Sequence, residues 1–136
     1  MWVSAPPAVR DLQERIAAAD AVLIATPEYN GSVPGALKNA LDWASRPFPD
    51  NCLRGKPVAV VGASTSLFGA VWAQAELRKV LAAIGARVLD RELPVPHAQE
   101  AFDSNSALSD PEQQARLAEI VATLLDEARI PAHRAA

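Results

Sequence analysis

Ala21-Val22-Leu23-Ile24-Ala25-Thr26 runs directly into Pro27-Glu28-Tyr29-Asn30-Gly31-Ser32 and, after Val33, into Pro34-Gly35-Ala36-Leu37-Lys38-Asn39-Ala40-Leu41-Asp42-Trp43. The first segment is short and apolar, the second is made of turn formers, and the third reads as a helix entered through a proline. A strand, a loop and a helix in immediate succession are half of an α/β unit. In an open parallel sheet the ligand crevice lies outside the carboxyl ends of the strands, so residues 27–32 are expected at such a crevice. Pro27 fixes φ and removes a donor, and Asn30-Gly31 is the pair in this chain best suited to positive φ, so the loop is expected to turn sharply with its amides exposed.

A second unit follows the same plan. Pro57-Val58-Ala59-Val60-Val61-Gly62 reads as a buried strand. Ala63-Ser64-Thr65-Ser66-Leu67-Phe68-Gly69 forms a second loop at its end, and a long helix carries Ala70, Ala73, Leu77, Val80 or Leu81, and Ile84 before Gly85 caps it. Between the units, Arg46-Pro47-Phe48-Pro49-Asp50-Asn51 has two prolines and is a surface connection. Upstream, Val9, Leu12, Ile16 and Ala19 mark an amphipathic helix of about three turns. The near absence of polar alternation in residues 21–26 predicts a strand covered on both faces. Downstream come a short strand over residues 87–89, an irregular run over 90–108, and a last helix. Ser109 or Asp110 is its N-cap, Pro111 opens it, and its stripe is Leu117, Ile120, Val121, Leu124, Leu125 and Ala128. The order α-β-α-β-α-β-α with right-handed crossovers makes all strands parallel.

The totals restrict the functional classes. A chain of 136 residues is one domain, 1–136, with the tail 131–136 expected to fray. A net charge of −3 with both signs scattered indicates no nucleic-acid face and no strongly acidic docking surface. Cys52 is the sole cysteine and His97 and His133 are the only histidines, which argues against a disulfide framework and a structural zinc site, so no metal site is expected. No apolar run reaches the ~20 residues that span a bilayer, and residues 1–7 lack the regions of a signal peptide. A cytoplasmic location with no membrane partner is the expectation.

Thr26-Pro27-Glu28-Tyr29-Asn30-Gly31-Ser32, with Pro34-Gly35-Ala36-Leu37-Lys38-Asn39 and Asp42-Trp43 behind it, resembles the signature of the NADPH-dependent FMN reductase family, and the similarity extends to about residue 126. The resemblance implies a flavodoxin-like three-layer parallel sheet in which the chain's strands are numbers 3, 4 and 5 of the usual order 2-1-3-4-5. The family's opening strand, Ser-rich phosphate-binding loop, first helix and second strand have no counterpart here, so the fold is expected to be N-terminally truncated. The edge of strand 21–26 is then an open site for strand addition.

The resemblance further implies FMN and NADPH as cofactors, ping-pong hydride transfer to a flavin, quinone or other small-molecule electron acceptor, and a homo-oligomer, a homodimer formed through helix 35–45. It places Pro27, Glu28, Tyr29, Asn30 and Gly31 around the flavin ring. Gly62, Ala63, Ser64 and Gly69 form a second flavin loop at its pyrimidine edge. Flavin chemistry belongs mainly to the cofactor, so no catalytic acid or base is nominated. Each loop alone also fits a blander reading, a turn into a helix for the first and N-capping by Ser64, Thr65 or Ser66 for the second. Two other readings compete with the enzyme: a flavodoxin-like electron carrier, which the modest charge disfavours, and a weak flavin binder or non-catalytic remnant that self-associates through the open edge. Cys52 and His97 have no orienting third group by spacing and are read as structural or surface residues.

Overall fold

The computed structural model describes residues 4–131. Its elements are α1 (Pro7–Ala18), β1 (Val22–Thr26), α2 (Gly35–Ala44), β2 (Pro57–Ala63), α3 (Val71–Ile84), β3 (Arg87–Val88), β4 (Pro94–Val95), α4 (Ala98–Ala101) and α5 (Pro111–Ala128). Of the tail expected to fray, residues 132–136 lie outside the described residues. Among the described residues no helix is long and apolar enough to cross a membrane.

The sheet is parallel throughout. β1 pairs with β2 from Val22↔Val58 to Thr26↔Gly62. On its other side β2 meets β3 at Pro57↔Arg87 and Val58↔Val88, then β4 at Gly62↔Pro94 and Ala63↔Val95. The irregular run predicted over 90–108 therefore contains the second half of an interrupted edge strand and the short helix α4. At the interruption Arg91 and Glu92 make ion pairs with neighbouring helices, Arg91 with Glu119 at 2.9 Å and Glu92 with Arg78 at 3.8 Å. The ladder resumes at Leu93, whose carbonyl accepts from Gly62 N–H at 3.2 Å.

β2 is the only strand of this sheet paired on both sides among the described residues, and its first six residues are buried, as an uninterrupted apolar run requires. Its alternate side chains feed two cores. Val58 and Val60 pack with Leu41, Ala44, Leu53, Leu77, Leu81 and Ile84 beneath α2 and α3, joined by Ile16 of α1. Ala59 and Val61 pack with Leu89, Leu93, Val95, Leu108, Ile120 and Leu124 beneath α5. At ~1.5–3 kcal/mol for each large side chain fully buried, these two layers are the main source of stability.

The expectation that residues 21–26 are covered on both faces is corrected. β1 ends the strand order, and along it Leu23 is 43% exposed and Ala25 is exposed, while Val22 and Ile24 turn into the first core. On the α5 side β1 has no cover among the described residues. An apolar groove of about 760 Å³ opens there, lined by Ala25, Val61, Leu117, Val121 and Leu125 among others. Half of the apolar stripe predicted for α5 thus faces this groove, with Leu125 53% exposed, and only Ile120 and Leu124 are buried. The connection over 46–51 is exposed as far as Asp50 and then turns inward. Asn51 is buried and its amide donates to the Ile84 carbonyl at 3.1 Å.

Candidate functional site

Thr26 and Gly62 are partners in the β1–β2 register, so the loops that follow them leave the sheet side by side at its carboxyl end. In the first loop Tyr29 N–H donates to Ser32 C=O at 3.0 Å and Ser32 N–H to Tyr29 C=O at 3.1 Å, with Asn30 at φ 54° and Gly31 at φ 75° between them. This is a two-residue turn with positive φ at both central positions, the geometry that Asn-Gly favours most. The turn consumes the Tyr29 amide, which corrects the expectation that all the loop's amides are exposed. The amides of Asn30 and Gly31 make no hydrogen bond among the described residues. Tyr29 is 61% exposed.

The second loop is held from two sides. Ser64 N–H donates to the Val95 carbonyl at 3.0 Å, and the Ser64 carbonyl accepts from Ala98 N–H at 2.9 Å. Its hydroxyl accepts from Ser66 N–H at 3.1 Å and lies 2.9 Å from the Ser66 hydroxyl. The Ser66 carbonyl accepts from His97 N–H at 3.1 Å, so the exposed His97 borders this loop through its backbone. Gly69 is buried at φ 60°, and a Cβ on it would lie 2.6 Å from Val95 N and 2.8 Å from Pro96 N. A Cβ on Gly62 would lie 2.7 Å from Gln74 Nε2 and 2.9 Å from the Thr26 carbonyl. Both glycines are required by close packing at the base of the loop. Ala63 is half-buried where β4 joins β2.

N-capping of α3 by Ser64, Thr65 or Ser66 does not occur. The cap position is Ala70, in the left-handed region at φ 63° with no side-chain bond. The cap arrives from the other loop: Glu28 Oε1 accepts from Ala73 N–H at 3.2 Å. Three residues later on α3, Glu76 accepts from the Ser32 hydroxyl. Gln74, fully buried, donates from Nε2 to the carbonyls of Gly69 at 3.1 Å and Leu93 at 3.0 Å, and its Oε1 accepts from Leu93 N–H at 3.0 Å. None of these ties is visible in spacing. The one available signal was a glutamine amid the apolar positions of a helix, where a buried amide needs partners.

Unspent amides at adjoining strand ends can donate to an acceptor-rich ligand. NADPH-dependent FMN reductase is also the family whose description matches residues 2–100. The chain belongs to that family. It is 50% identical over 106 residues to an NAD(P)H-dependent FMN reductase of Pseudomonas aeruginosa, covering 77% of this chain and 57% of the relative. It is 44% identical over 101 residues to a 2-hydroxy-1,4-benzoquinone reductase of a Burkholderia species, covering 74% of this chain and 55% of the relative. The chain thus spans somewhat more than half the length of these two relatives. Among solved structures it superimposes on the flavoenzyme NAD(P)H:(acceptor) oxidoreductase of Paracoccus denitrificans with a TM-score of 0.78 at 39% identity, over 93% of this chain and 70% of that one. The α/β fold is the flavodoxin-like one of these reductases.

The donor set fits the ring portion of FMN. Asn30 and Gly31 offer unspent amides, a Cβ on Gly31 would meet nothing within 4 Å, and the amides of Thr65 and Leu67 make no hydrogen bond among the described residues. These donors are neutral, which suits the carbonyls and ring nitrogens of an isoalloxazine better than a phosphate dianion. Cys52 stands apart from the loops. Burial pushes its thiol pKa up from the ordinary 9.0, against smaller opposing effects of a backbone hydrogen bond and Lys56, so it is a poor nucleophile at neutral pH.

Proposed function

We propose that this chain carries the flavin-ring site of an NAD(P)H-dependent FMN oxidoreductase that reduces a quinone, flavin or other small acceptor. The observation that carries the reading is the side-by-side exit of the two loops from the paired strand ends, Thr26 beside Gly62, with amides left unspent in each. When bound, FMN supplies the hydride chemistry, taking two electrons from NADPH and passing them to the acceptor. The chain's own residues bind and orient. Pro27, Tyr29, Asn30 and Gly31 meet the ring on one side, Glu28 adds its backbone, and Gly62, Ala63, Ser64 and Gly69 form the platform on the other. No side chain moves a proton. The relatives named for FMN and for quinone reduction support the acceptor class, and the protein works in the cytoplasm as a homo-oligomer.

The test is a titration of the purified chain with FMN, followed by flavin fluorescence, with NADPH oxidation measured on the same sample in the presence of a benzoquinone. Saturable quenching at micromolar FMN together with quinone-dependent turnover is expected. A folded sample that neither quenches flavin nor oxidises NADPH refutes the reading. A second reading, a weak flavin binder that self-associates, is favoured by the uncovered groove, by the exposed Leu125 on its wall and by the exposed Leu23 of β1. It predicts concentration-dependent elution from a size-exclusion column and no flavin absorbance in the protein peak.

A further inference from the structure

We infer that Glu28 is a positioning residue of the flavin site: its carboxylate caps the first turn of α3, and that cap sets how the loop over residues 27–32 stands against the loop over 62–69. The inference rests on the proposed flavin reading only for its functional consequence. Its structural part stands on the geometry of the chain alone.

The first turn of α3 leaves its leading amides without partners inside the helix. Val71 N–H is satisfied by the Phe68 carbonyl at 3.2 Å and Gln74 N–H by the Ala70 carbonyl at 3.0 Å. Ala73 N–H is satisfied by Glu28 across 45 residues of sequence, in a partly buried contact at 3.2 Å. No residue of the loop that precedes the helix caps it, because Ala70 occupies the cap position in the left-handed region. The next side chain on the same turn, Gln74, holds Gly69 of the second loop. Residues 73 and 74 thus receive one loop each. A second tie, Ser32 to Glu76, keeps the far end of the first loop on the same helix. The geometry engages the Glu28 carboxylate with the helix, so what the flavin meets at this position is backbone.

Two substitutions separate reach from charge. Glu28→Gln keeps an oxygen at the same distance and removes the charge. Glu28→Asp keeps the charge and shortens the side chain by one bond, about 1.5 Å, so that the contact is lost. Two readouts are taken: hydrogen exchange of the Ala73 amide and of the Ser32 amide, which donates to the Tyr29 carbonyl, in the flavin-free protein, and FMN affinity by fluorescence quenching. Loss of a side-chain cap corresponds to roughly a five- to tenfold change in local opening. Glu28→Asp is therefore expected to speed exchange at Ala73 and Ser32 by about that factor and to weaken FMN by a similar one, while Glu28→Gln stays within about threefold of the parent in both. The inference is overturned if Glu28→Asp leaves Ala73 exchange unchanged. It is equally overturned if Glu28→Gln weakens FMN as much as Glu28→Asp while protecting Ala73, since the carboxylate would then act on the flavin by its charge. If the parent binds no FMN but Glu28→Asp loosens both amides, the flavin reading falls and the positioning role stands.

Discussion

Gln74→Met probes the joint on which the second loop rests. The side chain is fully buried, and its amide makes three hydrogen bonds, to Gly69 C=O, Leu93 C=O and Leu93 N–H, all between 3.0 and 3.1 Å. Methionine is unbranched and similar in length, so packing is conserved to within about 1 kcal/mol. The Leu93 carbonyl keeps a donor in Gly62 N–H. The Leu93 N–H does not, and a buried amide left unpaired costs about 1–3 kcal/mol. The Gly69 carbonyl loses its side-chain donor as well, and the relief of no longer desolvating an amide side chain offsets part of the total. A net loss of about 2–3 kcal/mol is expected. With a urea m-value of roughly 2 kcal/mol/M, the unfolding midpoint falls by about 1–1.5 M at unchanged m. FMN affinity falls with it, because Gly69 is no longer tethered. A variant whose midpoint moves by less than about 0.25 M would refute the reasoning and show that the ladder holds Leu93 without the glutamine.

The two positive-φ glycines at the loops should respond differently to substitution. Gly31→Ala, with open space around its Cβ, should cost about 1 kcal/mol from backbone strain, whereas Gly69→Ala should cost clearly more because its Cβ would meet backbone at 2.6–2.8 Å; equal losses of thermal stability would contradict this. Asp110→Ala removes the N-cap bond of α5, in which Asp110 Oδ1 accepts from Glu112 N–H at 2.9 Å, and should lower stability by about 1 kcal/mol in urea unfolding while Ser109→Ala does not. For Cys52 the neutral thiol is favoured in the fold, so the folded state holds its proton at pH values where the unfolded chain has released it. Stability is unaffected below the unfolded thiol's pKa and falls as pH rises from there through the raised folded value. Iodoacetamide labelling of the folded protein at neutral pH should accordingly be slow and should accelerate on unfolding; equal rates would refute burial as the cause.

Much of the fold is legible because its strongest signals are local. Pro57 to Gly62 is apolar at every position, and the structure pairs that strand on both sides. Asp110-Pro111 starts α5 by N-cap chemistry that needs nothing beyond neighbouring residues. Failures occur where tertiary context decides. Residues 21–26 read as doubly covered because apolarity signals burial without saying whether a neighbour is present, and β1 turns out to end the strand order. Pro94 and Pro96 suggest an irregular run. Yet Pro94 forms the β4 edge, since the missing N–H of an edge strand need not face a ladder partner.

The candidate site divides along the same line. Asn30-Gly31 announces its own turn, since φ > 0 is a property of the residue, and the structure places the pair at 54° and 75°. The family resemblance gives Glu28 and Ser64 to the flavin without saying whether side chain or backbone meets it. In the folded chain both side chains are engaged by protein, Glu28 with Ala73 N–H and Ser64 with Ser66 N–H. Backbone amides are what remain for a flavin, and they are common to every sequence. On the proposed flavin reading, specificity for the ring lies in where the amides are held, and in this chain the holding is done by Glu28, Ser32, Gln74 and Glu76 through contacts spanning 5 to 45 residues. Substitutions at these ties should consequently disturb flavin binding although their side chains are already spent on protein, and side-chain changes at Asn30 that preserve its positive φ should disturb it little.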